Sequence, residues 1–328
     1  MNRKVLVIII VVLGVLGAAT ASYITAPSAA VLPQKPPAGD IKDINPVVTV
    51  DWLADHLGAK DLKVIYVGTG GGAKRSYGKG NIPGSIFMDA NDVFESPKTK
   101  GKTGIVANKE KFEKVMSENG ISNNDAVVVY GEYSGEWDAA YVARVWWTLK
   151  YYGHKKAGFL DGGIGMWKSK GKELSKGPLQ LTPVKYTASA PDGSLRATGD
   201  YVLTKLNNPK KVVILDDRET DEWEGKAKFG SERGGRIPGA VFVNWKEDMN
   251  SNYTFKSKAE LQSIYKAKGV TPDKEIIIYC QGGVRVAHTM LALKEILGYP
   301  NVRNYDGSWD EWANTKKPDG TYKYPVEK

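Results

Sequence analysis

From about residue 41 the chain alternates short apolar runs with segments whose apolar positions recur at helical spacing. Val212-Val213-Ile214-Leu215 and Ile276-Ile277-Ile278 are uncharged and rich in β-branched residues, and runs of that kind predict strands buried on both faces. Residues 258–268 and 286–297 carry the helical period. In the second of these Ala287, Met290, Leu291 and Ile296 or Leu297 offer a packing face, and Gly298 and Pro300 stop the helix. Alternation of this kind predicts parallel βαβ units. The expected fold class is therefore α/β, with doubly wound, mainly parallel sheets flanked by helices.

The pattern repeats itself. Gly120-Ile121-Ser122 through Val127-Val128-Val129-Tyr130 matches Gly269-Val270-Thr271 through Ile276-Ile277-Ile278-Tyr279 at one constant offset. Ile82-Pro83-Gly84-Ser85 pairs with Ile237-Pro238-Gly239-Ala240, and Asp161-Gly162-Gly163 up to Trp167 pairs with Asp306-Gly307-Ser308 up to Trp312. Such self-similarity marks a tandem duplication. Residues 181–196, with Pro183, Pro191 and Gly193, lack a helical period and read as the connector, so the domains are placed at residues 41–190 and 191–328.

The N-terminal residues follow a different logic. Arg3 and Lys4 precede an uncharged apolar run over residues 5–19, and Ala19-Thr20-Ala21 offers a small-x-small cleavage site; residues 1–24 read as a signal peptide or signal anchor. Residues 25–40, with Pro27, Pro33, Pro36 and Pro37, read as a Pro/Ala-rich tether. About 285 residues remain, enough for two ordinary domains. The expected location is outside the cytoplasmic membrane, in the periplasm or cell envelope, with membrane contact only through the N-terminal segment.

Composition removes several function classes. The net charge of +9 arises from 46 basic and 37 acidic residues spread along the chain, without the dense basic run expected of a nucleic-acid binder. His56, His154 and His288 are the only histidines and Cys280 the only cysteine, so no metal site is expected. Gly68-Thr69-Gly70-Gly71-Gly72-Ala73-Lys74 lacks the Lys-Ser/Thr ending of a phosphate-binding loop and reads as a flexible surface loop.

Cys280 stands where chemistry is expected. It follows a strand end and precedes Gly282-Gly283, the place where open α/β sheets put their ligands. Several backbone N–H groups of residues 281–285 can converge there, next to a helix N-terminus and Arg285, an environment that favours a nucleophilic thiolate. Arg218, Arg233, Arg236 and Arg285 supply cations for an anionic substrate. His288, one helical turn beyond the loop, reads as a packing residue.

Cys280-Gln281-Gly282-Gly283-Val284-Arg285, with Ala287-His288-Thr289 and Asn304-Tyr305-Asp306-Gly307-Ser308-Trp309, closely resembles the active-site region of rhodaneses, the thiosulfate sulfurtransferases. Arg144-Val145-Trp146-Trp147 and Gly153-His154 extend the resemblance to the tandem-domain members. It implies two rhodanese-like domains and transfer of the sulfane sulfur of thiosulfate, through a Cys280 persulfide, to cyanide or a thiol. Both substrates are small molecules, and no cofactor is implied. Gln281, Gly282, Gly283, Val284 and Arg285 would cradle the persulfide. Arg218, ending an Asp-x-Arg pattern, and Arg285 would bind substrate. Arg236 replaces the histidine usual in the Gly-His-Ile-Pro-Gly-Ala pattern and is a further candidate.

The first half departs from the pattern. Gly131 stands at the cysteine position, and Val64-Ile65-Tyr66-Val67-Gly68 stands where the second half has Ile214-Leu215-Asp216-Asp217-Arg218; a non-catalytic domain is expected. Rival readings are a 3-mercaptopyruvate sulfurtransferase and a non-catalytic sulfane-sulfur carrier. A cysteine phosphatase or arsenate reductase is disfavoured, because four residues separate Cys280 from Arg285 where those loops have five.

Overall fold

The computed structural model describes residues 39–95 and 104–328, and these described residues belong to one compact unit. The first half runs β1 (Val47–Val48), α1 (Val50–His56), β2 (Leu62–Gly68), α2 (Gly70–Lys79), β3 (Ser85–Asp89), α3 (Lys109–Glu118), β4 (Ala126–Tyr130), α4 (Glu136–Tyr151), β5 (Ala157–Leu160) and α5 (Gly163–Ser169). The second runs β6 (Arg196–Ala197), α6 (Gly199–Lys205), β7 (Val212–Asp216), α7 (Thr220–Trp223), β8 (Val241–Phe242), α8 (Lys258–Ala267), β9 (Glu275–Tyr279), α9 (Val286–Met290), β10 (Val302–Tyr305) and α10 (Ser308–Asn314). Each half forms a five-stranded sheet, ordered β1-β5-β4-β2-β3 and β6-β10-β9-β7-β8. Every ladder is parallel. The two orders are the same permutation, as the repeat requires.

The β-branched runs occupy the middle of the sheets, where both faces are covered. One face of each sheet carries its own hydrophobic cluster. The other two faces share a single cluster that contains Trp146 and Trp147 of α4 together with Val286 and Met290 of α9. Helix α4 is apolar nearly all round and buried along most of its length, as suits a helix enclosed on every side. It packs directly against α9, so the two sheets are joined through one core.

Polar groups close the same interface. The Asp306 carboxylate is fully buried. Its Oδ1 accepts from Arg144 Nη2 at 2.5 Å, its Oδ2 accepts from the Val106 N–H at 3.1 Å, and the same oxygen forms an ion pair with Arg196, whose Nε lies 3.0 Å away.

Two local expectations change. Residues 70–79 form helix α2 instead of a flexible loop: the Gly70 N–H is capped by Asp89 Oδ2 at 2.9 Å, and the buried Tyr77 anchors the far end. Helix α9 passes after Met290 into a wider π turn, Leu291–Ile296, with the Leu297 N–H bonded to Ala292 O. Residues 171–195 contain neither helix nor strand. The expected targeting segment and most of the tether lie outside the described residues. Among the described residues no helix is long and apolar enough to cross a membrane.

Removing one member of a buried ion pair strands its partner, at a cost of about 3–5 kcal/mol. Asp306→Ala is expected to lose that much stability, because Arg144 and Arg196 both lose their counter-charge. The check is the urea unfolding midpoint; a midpoint within error of the parent would rule out the interface role.

Candidate active site

Strands β7 and β9 are adjacent and in register at Asp216 and Tyr279. Side chains alternate between the faces of a strand. Asp216 and Tyr279 turn to one face, where the Tyr279 hydroxyl donates to Asp216 Oδ2 at 2.5 Å. The residue that follows each strand, Asp217 and Cys280, turns to the other face, toward the shared core. Cys280 is 1% exposed and belongs to that core.

The loop after Cys280 folds back on its sulfur. The Gly283 N–H donates to Cys280 Sγ at 3.0 Å. Gly283 has φ +77°, and a side chain there would meet Asp306 O at 2.4 Å, so glycine is required on both counts. A second loop, Asp306-Gly307-Ser308-Trp309, holds the first. Ser308 Oγ accepts from the Cys280 N–H at 3.2 Å and donates to Tyr305 O at 2.8 Å. The Trp309 N–H bonds Cys280 O, and the Asp310 N–H bonds Gln281 O. From the first half Gly104 packs so closely that a Cβ would lie 1.4 Å from Gly282 O. Gln281 Nε2 donates to Ser231 Oγ at 2.9 Å, and Val284 packs on the shared core.

The four arginines do not converge as free cations around the sulfur. Arg285 is buried and grips Glu222 with both terminal nitrogens, at 2.6 and 2.8 Å, with its face 5.0 Å from the Trp137 ring. It feels the charge of Cys280, but Glu222 neutralises it. Arg218 is fully buried, donates to both Asp216 oxygens and to Gly235 O, and lies between the Tyr279 and Trp309 rings. The guanidinium is thus enclosed and paired with Asp216, and its Nη1 has no hydrogen-bond partner. Arg236 pairs with Glu327 and covers Trp223. Arg233 caps the carbonyls of Trp312, Ala313 and Tyr324.

His288 packs as expected, stacked on Phe255 at 4.3 Å and edge-on to Trp245. Among the described residues no group of three or more His, Cys, Asp or Glu is placed to hold a metal ion.

Two features escaped the sequence reading. Glu222 carries no local signal, since a guanidinium's partner is chosen by tertiary packing. Asp217 did carry one. Tyr66 pairs with Tyr130 in β2 and β4 as Asp216 pairs with Tyr279, so the first-half counterpart of Asp217 is the apolar Val67. Asp217 is fully buried, and neither carboxylate oxygen has a hydrogen-bond partner. Burial first, then the neighbouring Cys280 charge, hold its carboxyl well above the usual range, although Arg285 pulls the other way. Burial thus favours the uncharged form of a carboxyl beside the sulfur.

Comparison with known proteins accords with this geometry. A model of the rhodanese-like domain matches residues 49–170 and 198–315. A Mycobacterium tuberculosis protein named "Putative thiosulfate sulfurtransferase" is 37% identical over 82% of this chain and 94% of its own length. The sulfur carrier protein TtuD of Thermus thermophilus is 35% identical over 82% of this chain and 93% of its own. The solved structure of SseA from Escherichia coli, described as a 3-mercaptopyruvate sulfotransferase, superposes with a TM-score of 0.69 at 28% identity, covering 81% of this chain and 99% of that one.

The buried Asp217 makes stability depend on pH. Above the ordinary carboxylate pKa of about 3.9 the folded state holds a proton that the unfolded state releases. Stability therefore falls as pH rises from about 4 toward the raised folded value, with a limiting slope of about 1.4 kcal/mol per pH unit. Asp217→Asn should be more stable than the parent at neutral pH, by a margin that shrinks toward pH 4. Urea titrations at several pH values check this, and a margin independent of pH would contradict it. Arg218→Ala should cost about 3–5 kcal/mol by stranding Asp216. If it instead keeps its urea midpoint and shows only a raised KM for thiosulfate, Arg218 is a substrate contact, as the sequence reading expects.

Proposed function

The chain belongs to the rhodanese family, as two tandem rhodanese-like domains, and from that premise we propose that it moves the sulfane sulfur of thiosulfate through a Cys280 persulfide to a thiophilic acceptor. One observation carries the reading: the only sulfur nucleophile of the chain stands at the end of a central strand, with the Gly283 N–H directed at it from 3.0 Å. A backbone donor aimed at the sulfur is placed to hold negative charge that the reaction brings there. Relatives named as thiosulfate sulfurtransferases support the choice of donor.

Two displacements complete the reaction. The Cys280 thiolate attacks the outer sulfur of thiosulfate, the donor S–S bond breaks, and sulfite leaves with the bonding electrons. An acceptor nucleophile, cyanide or a thiol, then attacks the outer sulfur of the persulfide, and the thiolate returns. Covalent catalysis of this form gives ping-pong kinetics and draws on no cofactor. With Arg285 neutralised by Glu222, recognition of negative charge falls mainly to the N–H groups of residues 281–285.

That charge balance also favours a second donor. A cradle without a free guanidinium has less preference for a dianion, and the likeness to SseA supports 3-mercaptopyruvate as the alternative. The relative named as a sulfur carrier supports a third arrangement, in which the persulfide is delivered to a partner. We place the protein outside the cytoplasmic membrane on the strength of Arg3, Lys4 and the apolar run that follows them.

Mass spectrometry after thiosulfate treatment is expected to find one added sulfur on Cys280. Cys280→Ser should fold as the parent does and lose transfer to background, since a hydroxyl forms no persulfide. Residual turnover in that variant would sink the assignment. Parallel kcat/KM measurements with thiosulfate and 3-mercaptopyruvate decide the donor: the proposal requires the larger value for thiosulfate, and the reverse order replaces it. Fractionation that finds the full-length protein in the cytoplasm would overturn the location.

A further inference from the structure

The half of the chain that lacks a nucleophile reaches into the loop that has one. Arg144, on α4, is fully buried. Its Nη1 donates to Gly283 O at 2.8 Å, and its Nη2 donates to Gly104 O at 2.7 Å and to Asp306 Oδ1 at 2.5 Å. The guanidinium lies 4.5 Å from the centre of the Trp147 ring and 5.3 Å from that of Phe94, which holds its plane. Gly283 is also the residue whose N–H meets the Cys280 sulfur.

Glycine has the widest conformational range of any residue, and at Gly283 a φ of +77° turns the chain so that the N–H meets the sulfur on one side and the carbonyl meets Arg144 on the other. A guanidinium bound to its carbonyl removes the remaining freedom at ψ. The peptide is planar and trans, so the Val284 N–H lies on the edge opposite Gly283 O and points away from Arg144. A charge-assisted bond to the carbonyl polarises that peptide and strengthens the N–H at its other end.

The repeat supplies an internal comparison. The matching turns of the second half, Thr289-Met290-Leu291-Ala292-Leu293, contain no cation, and the first half has Gly131 at the cysteine position. Each half lacks what the other holds. We propose that Arg144 is a positioning residue for the Cys280 loop, supplied by the non-catalytic domain, which holds the Gly283 peptide so that the loop N–H groups face the sulfur and its persulfide. This rests on the reading of Cys280 as the sulfur-carrying nucleophile.

Interface adhesion and loop positioning separate experimentally. Arg196 shares Asp306 with Arg144 through an ion pair, whereas Gly283 O accepts from Arg144 Nη1 and from Asn304 Nδ2. Arg144→Met keeps Asp306 paired with Arg196, so a fold can persist without the Gly283 contact. The full-length variants Arg144→Met, Arg144→Lys and Arg196→Gln are compared with the parent in urea midpoint, thiosulfate kinetics, iodoacetamide alkylation of Cys280, and amide exchange at Gly283 and Val284. Both Arg144 variants should show kcat lower by about ten- to hundredfold, slower alkylation and faster exchange at the two loop amides. KM should move much less than kcat. Arg196→Gln should lose stability but retain kcat, alkylation rate and loop protection. The inference falls if the Arg144 variants match the parent in alkylation and loop exchange, or if Arg196→Gln reproduces their losses. Should an Arg144 variant fail to fold, the other decides, and equal loss of folding in both would make Arg144 a stability residue and overturn the inference. Alkylation and exchange need no sulfur donor, so they test Arg144 even if the parent transfers no sulfur.

Discussion

Asp306 has no access to water and is balanced by groups from both sides of the domain interface: Arg144 and the Val106 N–H from the first half, and Arg196 from the start of the second. A carboxylate buried without such partners would be costly enough to stay protonated or to prevent burial. The interface therefore cannot loosen at this point without exposing charge. The same residue bears on the loop from a second direction, because Asp306 O excludes any side chain at position 283. Domain docking and loop conformation are thus set by neighbouring atoms of one residue.

Sheet geometry decides what surrounds the sulfur. Alternation at the ends of β7 and β9 sends Asp216 and Tyr279 to the outer face and Asp217 and Cys280 to the shared core. On the outer face charge is compensated, with Arg218 against Asp216. On the inner face Arg285 is compensated by Glu222, and burial favours the neutral form of Asp217. What remains around the sulfur is a nearly neutral enclosure of dipoles. A neutral acid adds no repulsion toward an incoming anion, whereas an ionised one would. Val67 at the equivalent place in the first half is the simpler solution for packing, so the acid at position 217 coincides with the half that holds the cysteine.

Much of this was legible beforehand. The tandem repeat, the buried strands and the position of Cys280 follow from patterns with short sequence range, and the sheet orders and the Gly283 bond accord with them. Partner choice did not follow. Arg218 and Arg285 look alike in sequence to cations awaiting an anion; only the packed structure shows that Asp216 and Glu222 occupy them. The glycine-rich stretch before Lys79 was misread for a related reason, since its helix depends on Asp89 and on the burial of Tyr77 more than on its own propensity. Asp217 was visible in the repeat but not its environment, because burial without a partner is a property of the neighbours.

The duplicated half can lose its cysteine and still be needed. A nucleophile is a local feature, and at Gly131 the packing has closed over the backbone so that a Cβ would lie 2.9 Å from Val142 Cγ2, whereas α4 supplies one wall of a core common to both sheets. Selection against the first half would therefore act through the second. The close approach of Gly104 to Gly282 O makes the dependence steric as well as electrostatic, since no other residue fits between the two backbones. A catalytic domain separated from its partner would expose the apolar face of α9, leave Arg196 alone to balance the Asp306 carboxylate and release Gly283 together, so its fold and its loop geometry should fail in a single step.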